Sequence, residues 1–180
     1  TRDVHRDFVD RLLRAIRESG RAILFIHVSI PGRPDEDRTP FARTKREAER
    51  LIAVFGLPYA ILRPGFVVAP AAYGGSAMLR ALAALPVDLP RAVTATPFQP
   101  VAVADIAATI AWLAQRDLRD ANDVTWELMQ PQPVTLGGII GQFRRALGTQ
   151  DMPRLLLPSF LIDLGARLGD LAGLFGWMPP

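Results

Sequence analysis

Residues 39–49 read TPFARTKREAE, and the remainder of the chain is understood outward from them. Thr39 offers a hydroxyl to cap a helix start, and Pro40 suits the first helical position, where its missing N–H leaves no bond unmade. The residues that follow are good helix formers, so a helix is expected over residues 40–55, with Gly56 as its stop. Phe41 and Lys45 stand four apart and share one face of that helix, while Ala48, Leu51, Ile52 and Phe55 form its inner side. Upstream, residues 23–29 are an apolar run ending in Ser29, which reads as a central parallel strand buried on both faces. Between strand and helix lies PGRPDEDR, residues 31–38, a polar loop broken by proline.

Further out, Val4, Phe8, Leu12, Leu13 and Ile16 recur at helical spacing over residues 3–19, with Gly20 as a stop, so a helix packed on one face precedes the strand. His5 at its start is expected to be solvated, and no second ligand is spaced to join it in a metal site. His27, inside the strand, is expected to be packed or hydrogen-bonded. Downstream, YAILRPGFVVAP (59–70) is a second buried strand interrupted at Pro64 and Gly65. AAYGGSAML follows as a loop entering a helix near residues 76–85, and Tyr73, Gly74 and Gly75 on it are able to approach a ligand. Residues 86–98 read as a proline-rich connection. Residues 99–103 are then a short strand leading into a helix over 104–116, whose first turn Asp105 stabilises by its charge.

DVTWELM (123–129) is a further strand, and Thr135 caps a helix to Leu147. Gly137 and Gly138 cost that helix about 1 kcal/mol each relative to Ala, which implies a close packing contact. Residues 158–177 form an amphipathic pattern with Phe160, Leu161, Leu164, Leu168, Leu171 and Leu174 along one side. Its polar side is not rich in basic residues, so docking on protein is expected over docking on lipid. Alternating strands and helices give an α/β fold with a parallel sheet.

Composition bounds the function. At 180 residues and 49% hydrophobic content the chain can bury one substantial core. It holds no run of apolar residues long enough, at about 18 or more, to demand a membrane span. The absence of cysteine excludes disulfides and thiolate metal sites, and no metal is expected. The pI is about 10.1, yet the formal net charge is only +3 and the arginines are interspersed with acids, so nucleic acid is not an expected partner. Twenty of the 21 basic residues are arginine; the one lysine is Lys45. A compact ammonium and a planar guanidinium are not interchangeable in a tight site.

Strand, Ser29, loop, then an aromatic residue, three residues and Lys45 resembles the short-chain dehydrogenase/reductase superfamily, in its extended or atypical NAD(P)-binding branch of the epimerase/dehydratase type. Leu62-Arg63-Pro64 is similar to that family's signature on the next strand. The resemblance implies the second half of a Rossmann-like doubly wound sheet with a small C-terminal substrate lobe: one partial domain over 1–180, its sheet core near 1–70 and the lobe, interleaved with the last strands, over 71–180. The glycine-rich turn that holds the pyrophosphate would lie upstream. By the same resemblance Lys45 would hydrogen-bond the nicotinamide ribose of NAD or NADP, Pro64 and Gly65 would line the nicotinamide, and Ser29 would hold a substrate oxygen.

In the family a tyrosine occupies the place of Phe41 and exchanges a proton with that oxygen, its phenol drawn down by the ammonium. Phe41 has no proton to give. Two functions follow: an NAD(P)-dependent oxidoreductase or epimerase-like enzyme with another proton donor, for which Tyr73 is a candidate, or a dinucleotide-binding regulator or assembly subunit of a larger respiratory complex. The expected partners are a dinucleotide and a small molecule, with a protein or membrane contact through 158–177 left open. The expected location is cytoplasmic, with the periphery of the inner membrane as the alternative.

Overall fold

The computed structural model describes residues 2–71, 74–117 and 123–162, and these divide into two compact units. The first is built from residues 1–67 and 101–130, the second from 68–100 and 131–180.

The first unit holds a three-stranded parallel sheet in the order β1 (Phe25–Val28), β2 (Tyr59–Pro64), β7 (Val124–Leu128). Phe25 lies opposite Tyr59, and Ala60 opposite Val124, so the two runs expected to be parallel neighbours are paired in register. A five-residue π-helical turn, Asp3–Asp7, leads into α1 (Phe8–Glu18), and α2 spans Pro40–Phe55. The start of α2 follows from local chemistry. The Thr39 hydroxyl accepts from the Ala42 N–H at 3.1 Å, Pro40 occupies the first helical position, and Gly56 ends the helix at φ 80°, where a side chain would be strained. Strand alternation then builds a core on each face of the sheet. On one side Phe25 and Ile61 pack with Val9, Leu13, Ala48 and Ile52 of the two helices. On the other, Ala60 and Leu62 pack with Leu113 of α5 (Val103–Ala114). Asp105 is exposed in the first turn of α5 and makes no capping bond there, so its contribution is confined to its charge.

The second unit contains α3 (Gly74–Ala84), β4 (Val87–Asp88), α4 (Arg91–Thr94), β5 (Pro97–Phe98), β8 (Val134–Thr135), α6 (Leu136–Leu147) and β9 (Leu155–Leu156). The strands pair as parallel β4–β9 and antiparallel β5–β8. The stretch 86–98 is therefore not a bare connection: its backbone groups are spent on two short strands and a helical turn. Thr135 caps α6 by accepting from the Gly138 N–H at 3.0 Å. A Cβ on Gly137 would meet the Thr94 Cβ at 3.0 Å, which is the close packing that its weak helix propensity implied. Two short strands, β3 (Phe66–Val68) and β6 (Pro100–Ala102), lie where the chain leaves the first unit and returns to it. Of the amphipathic stretch 158–177, the described residues include Phe160 and Leu161, both exposed; Leu164, Leu168, Leu171 and Leu174 lie outside the described residues.

Candidate active site

Parallel strands bring their carboxyl ends to one edge, the usual place for a ligand crevice in an open α/β sheet. In the first unit that edge carries Ser29, Pro64 and Gly65. The Ser29 N–H donates to the Leu62 carbonyl at 2.7 Å, and the Gly65 N–H donates to the Leu128 carbonyl at 2.9 Å, so the backbone is fixed where β1, β2 and β7 end. Pro64 is buried as the last residue of β2. The Ser29 hydroxyl is buried and makes no hydrogen bond of proper geometry, although it lies near enough to Glu49 to favour that group's carboxylate form. A buried hydroxyl left in that condition is costly unless something else supplies its partner.

The helix α2 runs beside this edge and presents Lys45 to it. One of the three ammonium N–H groups is donated to the Val28 carbonyl at 3.1 Å, one residue before Ser29. Lys45 is half-buried, and burial lowers its pKa, since a desolvated ammonium is disfavoured; Glu49 works in the opposite direction. One turn earlier, Phe41 is 47% exposed with its ring edge-on to His5, the centroids 5.0 Å apart and the planes at 87°.

His5 is not the solvated residue expected from sequence. It is partly buried, and its Nδ1 lies 3.0 Å from the Thr44 hydroxyl, because the π-helical turn places it against the first turns of α2. Burial, followed by the Lys45 charge, lowers its pKa. His27 is packed, as expected: it stacks on Phe25 with centroids 6.4 Å apart, and its Nε2 is buried without a partner. Burial first, then Lys45, pushes its pKa down to about 4, so it is neutral at physiological pH.

The residues singled out from sequence thus separate. Ser29, Phe41, Lys45, Pro64 and Gly65 all belong to the first unit. Gly74 and Gly75 belong to the second and form the first turn of α3, two residues earlier than the helix start read from sequence, so they are helical and not a glycine loop. The φ of 53° at Gly74 explains why a glycine opens that helix. Tyr73 lies outside the described residues.

Sequence reasoning missed a buried ion network alongside. Arg46 donates from Nη1 to both oxygens of Glu49, from Nε to Asp37, and from Nη2 to the carbonyls of Pro31 and Gly32. Arg63 grips the same Glu49 with two parallel bonds at 3.0 and 2.8 Å. Burial opposes the Glu49 charge, but the bonds from Arg63 and Arg46, with the nearby Ser29 hydroxyl, outweigh it, and the net shift lowers its pKa. A signal was present: Glu49 stands three residues before Ile52, on the stripe that faces inward. The network floors a cleft of about 210 Å³, also lined by Arg50, Tyr59 and Thr125, whose buried charges satisfy one another. Among the described residues no group of His, Asp and Glu is arranged to hold a metal, and no helix is long and apolar enough to cross a membrane.

No family model matches the chain, and no curated protein matches it in sequence. Solved structures do. A UDP-glucose 4-epimerase from Thermotoga maritima, determined with UDP-glucose, superposes with a TM-score of 0.65 at 16% identity, over 83% of this chain and 55% of its own. The UDP-glucose 4-epimerase of Thermus thermophilus in complex with NAD gives 0.60 at 19% identity, over 87% and 62%. A Tyr-to-Phe mutant of a UDP-glucuronic acid 4-epimerase from Bacillus cereus, in complex with NAD and a fluorinated nucleotide sugar, gives 0.63 at 19%, over 85% and 54%. The chain spans little more than half the length of these proteins. Its fold is the Rossmann-like α/β fold of the epimerase/dehydratase type, over part of that fold's extent.

Proposed function

We propose that this chain forms the nicotinamide and substrate side of an NAD(P)-dependent oxidoreductase or epimerase-like protein that acts on a small hydroxylated substrate, with Phe41 in the place of the tyrosine. The observation that carries the reading is the convergence of Lys45 and Ser29 on the carboxyl end of β1, next to Gly65 at the end of β2.

These residues fit one end of a dinucleotide. Lys45 spends one N–H on Val28 and has two further donors suited to vicinal ribose hydroxyls. The backbone at Pro64 and Gly65, held against Leu128, would line the nicotinamide. Ser29, whose buried hydroxyl makes no well-formed bond, would take a substrate oxygen as its partner. When bound, the dinucleotide would accept a hydrogen with its electron pair from a carbon bearing a hydroxyl, or return it. The pyrophosphate calls for a glycine-rich turn at a helix start, which this sequence does not contain.

The test is dinucleotide titration of the intact protein, before and after Lys45→Met. Tight binding that weakens in the variant supports the reading. Failure of the intact protein to bind NAD(H) or NADP(H), or binding indifferent to Lys45, would refute it. The second reading, a dinucleotide-holding regulator or assembly subunit without turnover, is favoured by one observation, the lack of an ionisable group at position 41. Sustained substrate turnover by the unmodified protein would exclude it.

A further inference from the structure

The proton that Phe41 cannot carry has another carrier in ring contact with it. We propose that His5 is the acid–base residue of this site, taking the part of the absent phenol. The inference rests on the reading of Ser29 and Lys45 given above, and it adds the residue that would make turnover feasible.

The geometry fixes which imidazole nitrogen is available. The Thr44 hydroxyl donates its hydrogen to the Phe41 carbonyl at 2.9 Å, so toward His5 it has only lone pairs to offer. The 3.0 Å contact is then an Nδ1–H donated to Thr44 Oγ1, and in the neutral ring Nε2 is the basic nitrogen. A base whose tautomer is set by a second group is the arrangement that acid–base catalysis requires. The backbone contributes too, because π-helical turns are rare and concentrate at functional sites, and the turn Asp3–Asp7 has His5 at its centre. Lys45 on α2 is the side-chain charge that acts on the ring, and His27 on β1, which feels His5, is neutral. Lys45 thus acts on His5 as it would on a phenol, lowering its pKa and favouring release of its proton.

In the oxidising direction the substrate carbon loses its C–H hydrogen with the electron pair to a nicotinamide dinucleotide, and C–O becomes C=O. The hydroxyl proton passes to Nε2 of neutral His5, leaving an imidazolium. The reverse step returns that proton to the carbonyl oxygen as the carbon regains its hydrogen. Protons, electrons and charge balance with no further reactant.

The experiment uses the intact protein with NAD and UDP-glucose as the probe substrate, followed by nicotinamide absorbance, together with NMR of the isotope-labelled His5 ring. His5→Gln should lower kcat by about 10²–10⁴-fold with little change in KM, and should remove the imidazole limb from the pH profile. Adding Phe41→Tyr to His5→Gln should restore turnover about tenfold or more, because the new phenol stands one turn from Lys45, a rescue that a merely structural role for His5 would not show. The NMR arm needs no turnover: His5 should be the Nδ1–H tautomer, and its Nε2 resonance should move when UDP-glucose is added to the NADH-bound protein. Turnover unaffected by His5→Gln, an Nε2–H tautomer, or an Nε2 signal indifferent to the probe would each overturn the assignment while leaving dinucleotide binding intact. Loss of dinucleotide binding itself would overturn the functional reading and this inference together.

Discussion

Lys45 and Arg46 are neighbours on α2, and the two clusters they anchor use buried charge in opposite ways. Around Arg46 the pairing is reciprocal: Glu49 takes bonds from Arg46 and Arg63, Asp37 takes another, and two loop carbonyls take the rest. The guanidinium is 2% exposed and its five N–H groups have acceptors in Asp37, Glu49, Pro31 and Gly32. Around Lys45 the balance is incomplete, with the Ser29 hydroxyl and the His27 Nε2 buried without well-formed bonds. A satisfied network fixes a loop and a helix in place. An unsatisfied one holds polar groups ready for something that arrives, and pays for it in stability. On the proposed reading the first cluster is structural and the second is the site.

The largest effect expected from breaking this contrast is at Glu49. Glu49→Ala would strand Arg46 in the interior and remove the grip on Arg63, at a cost of about 3–5 kcal/mol, read by denaturant unfolding. The same variant bears on pH. Because the folded pKa of Glu49 lies below its unfolded value, its contribution is present above the unfolded carboxylate range and is lost as pH falls through the folded pKa. The unmodified protein should therefore lose stability in acid more steeply than Glu49→Ala; parallel curves would place the network's energy elsewhere.

Next in size is His27. Its neutral ring is favoured in the folded state, where the pKa is about 4, against 6.5 as the ordinary value. The unfolded chain binds the proton first, so stability is full above pH 6.5 and falls as pH drops toward 4, by roughly 3 kcal/mol from the size of the shift. His27→Leu should flatten that window, as read from melting temperature against pH.

Lys45→Met should leave unfolding nearly unchanged, since it removes a partly desolvated ammonium, yet weaken dinucleotide binding about 10–100-fold, in line with loss of charge-assisted hydrogen bonds. Phe41→Ala, on the same helix face, should weaken it far less. A large stability loss in Lys45→Met would merge the two clusters into one structural unit. The smallest effect is at the helix start that both clusters share: Thr39→Ala removes the bond to the Ala42 N–H and should cost about 1 kcal/mol, with no change in the relative behaviour of the two clusters.

Much of the fold was legible in residues 39–64. A threonine cap, a proline at the first helical position, a glycine stop and two apolar runs are local signals, and local backbone chemistry is enough to make them act. The helix Pro40–Phe55 and the two strands follow from them; the pairing of β1 with β2 and the nearness of Ser29 and Lys45 were expected from the family resemblance, since periodicity does not carry strand order. Only tertiary structure decided the rest. The inward turn of Glu49 depends on Arg63 arriving from a strand fourteen residues away, and the partly buried His5 depends on the π-helical turn before α1 docking against Thr44. Periodicity states which face of an element is apolar. It does not state which charged or titratable side chain finds its partner there, because that is settled by the distance and desolvation that packing imposes.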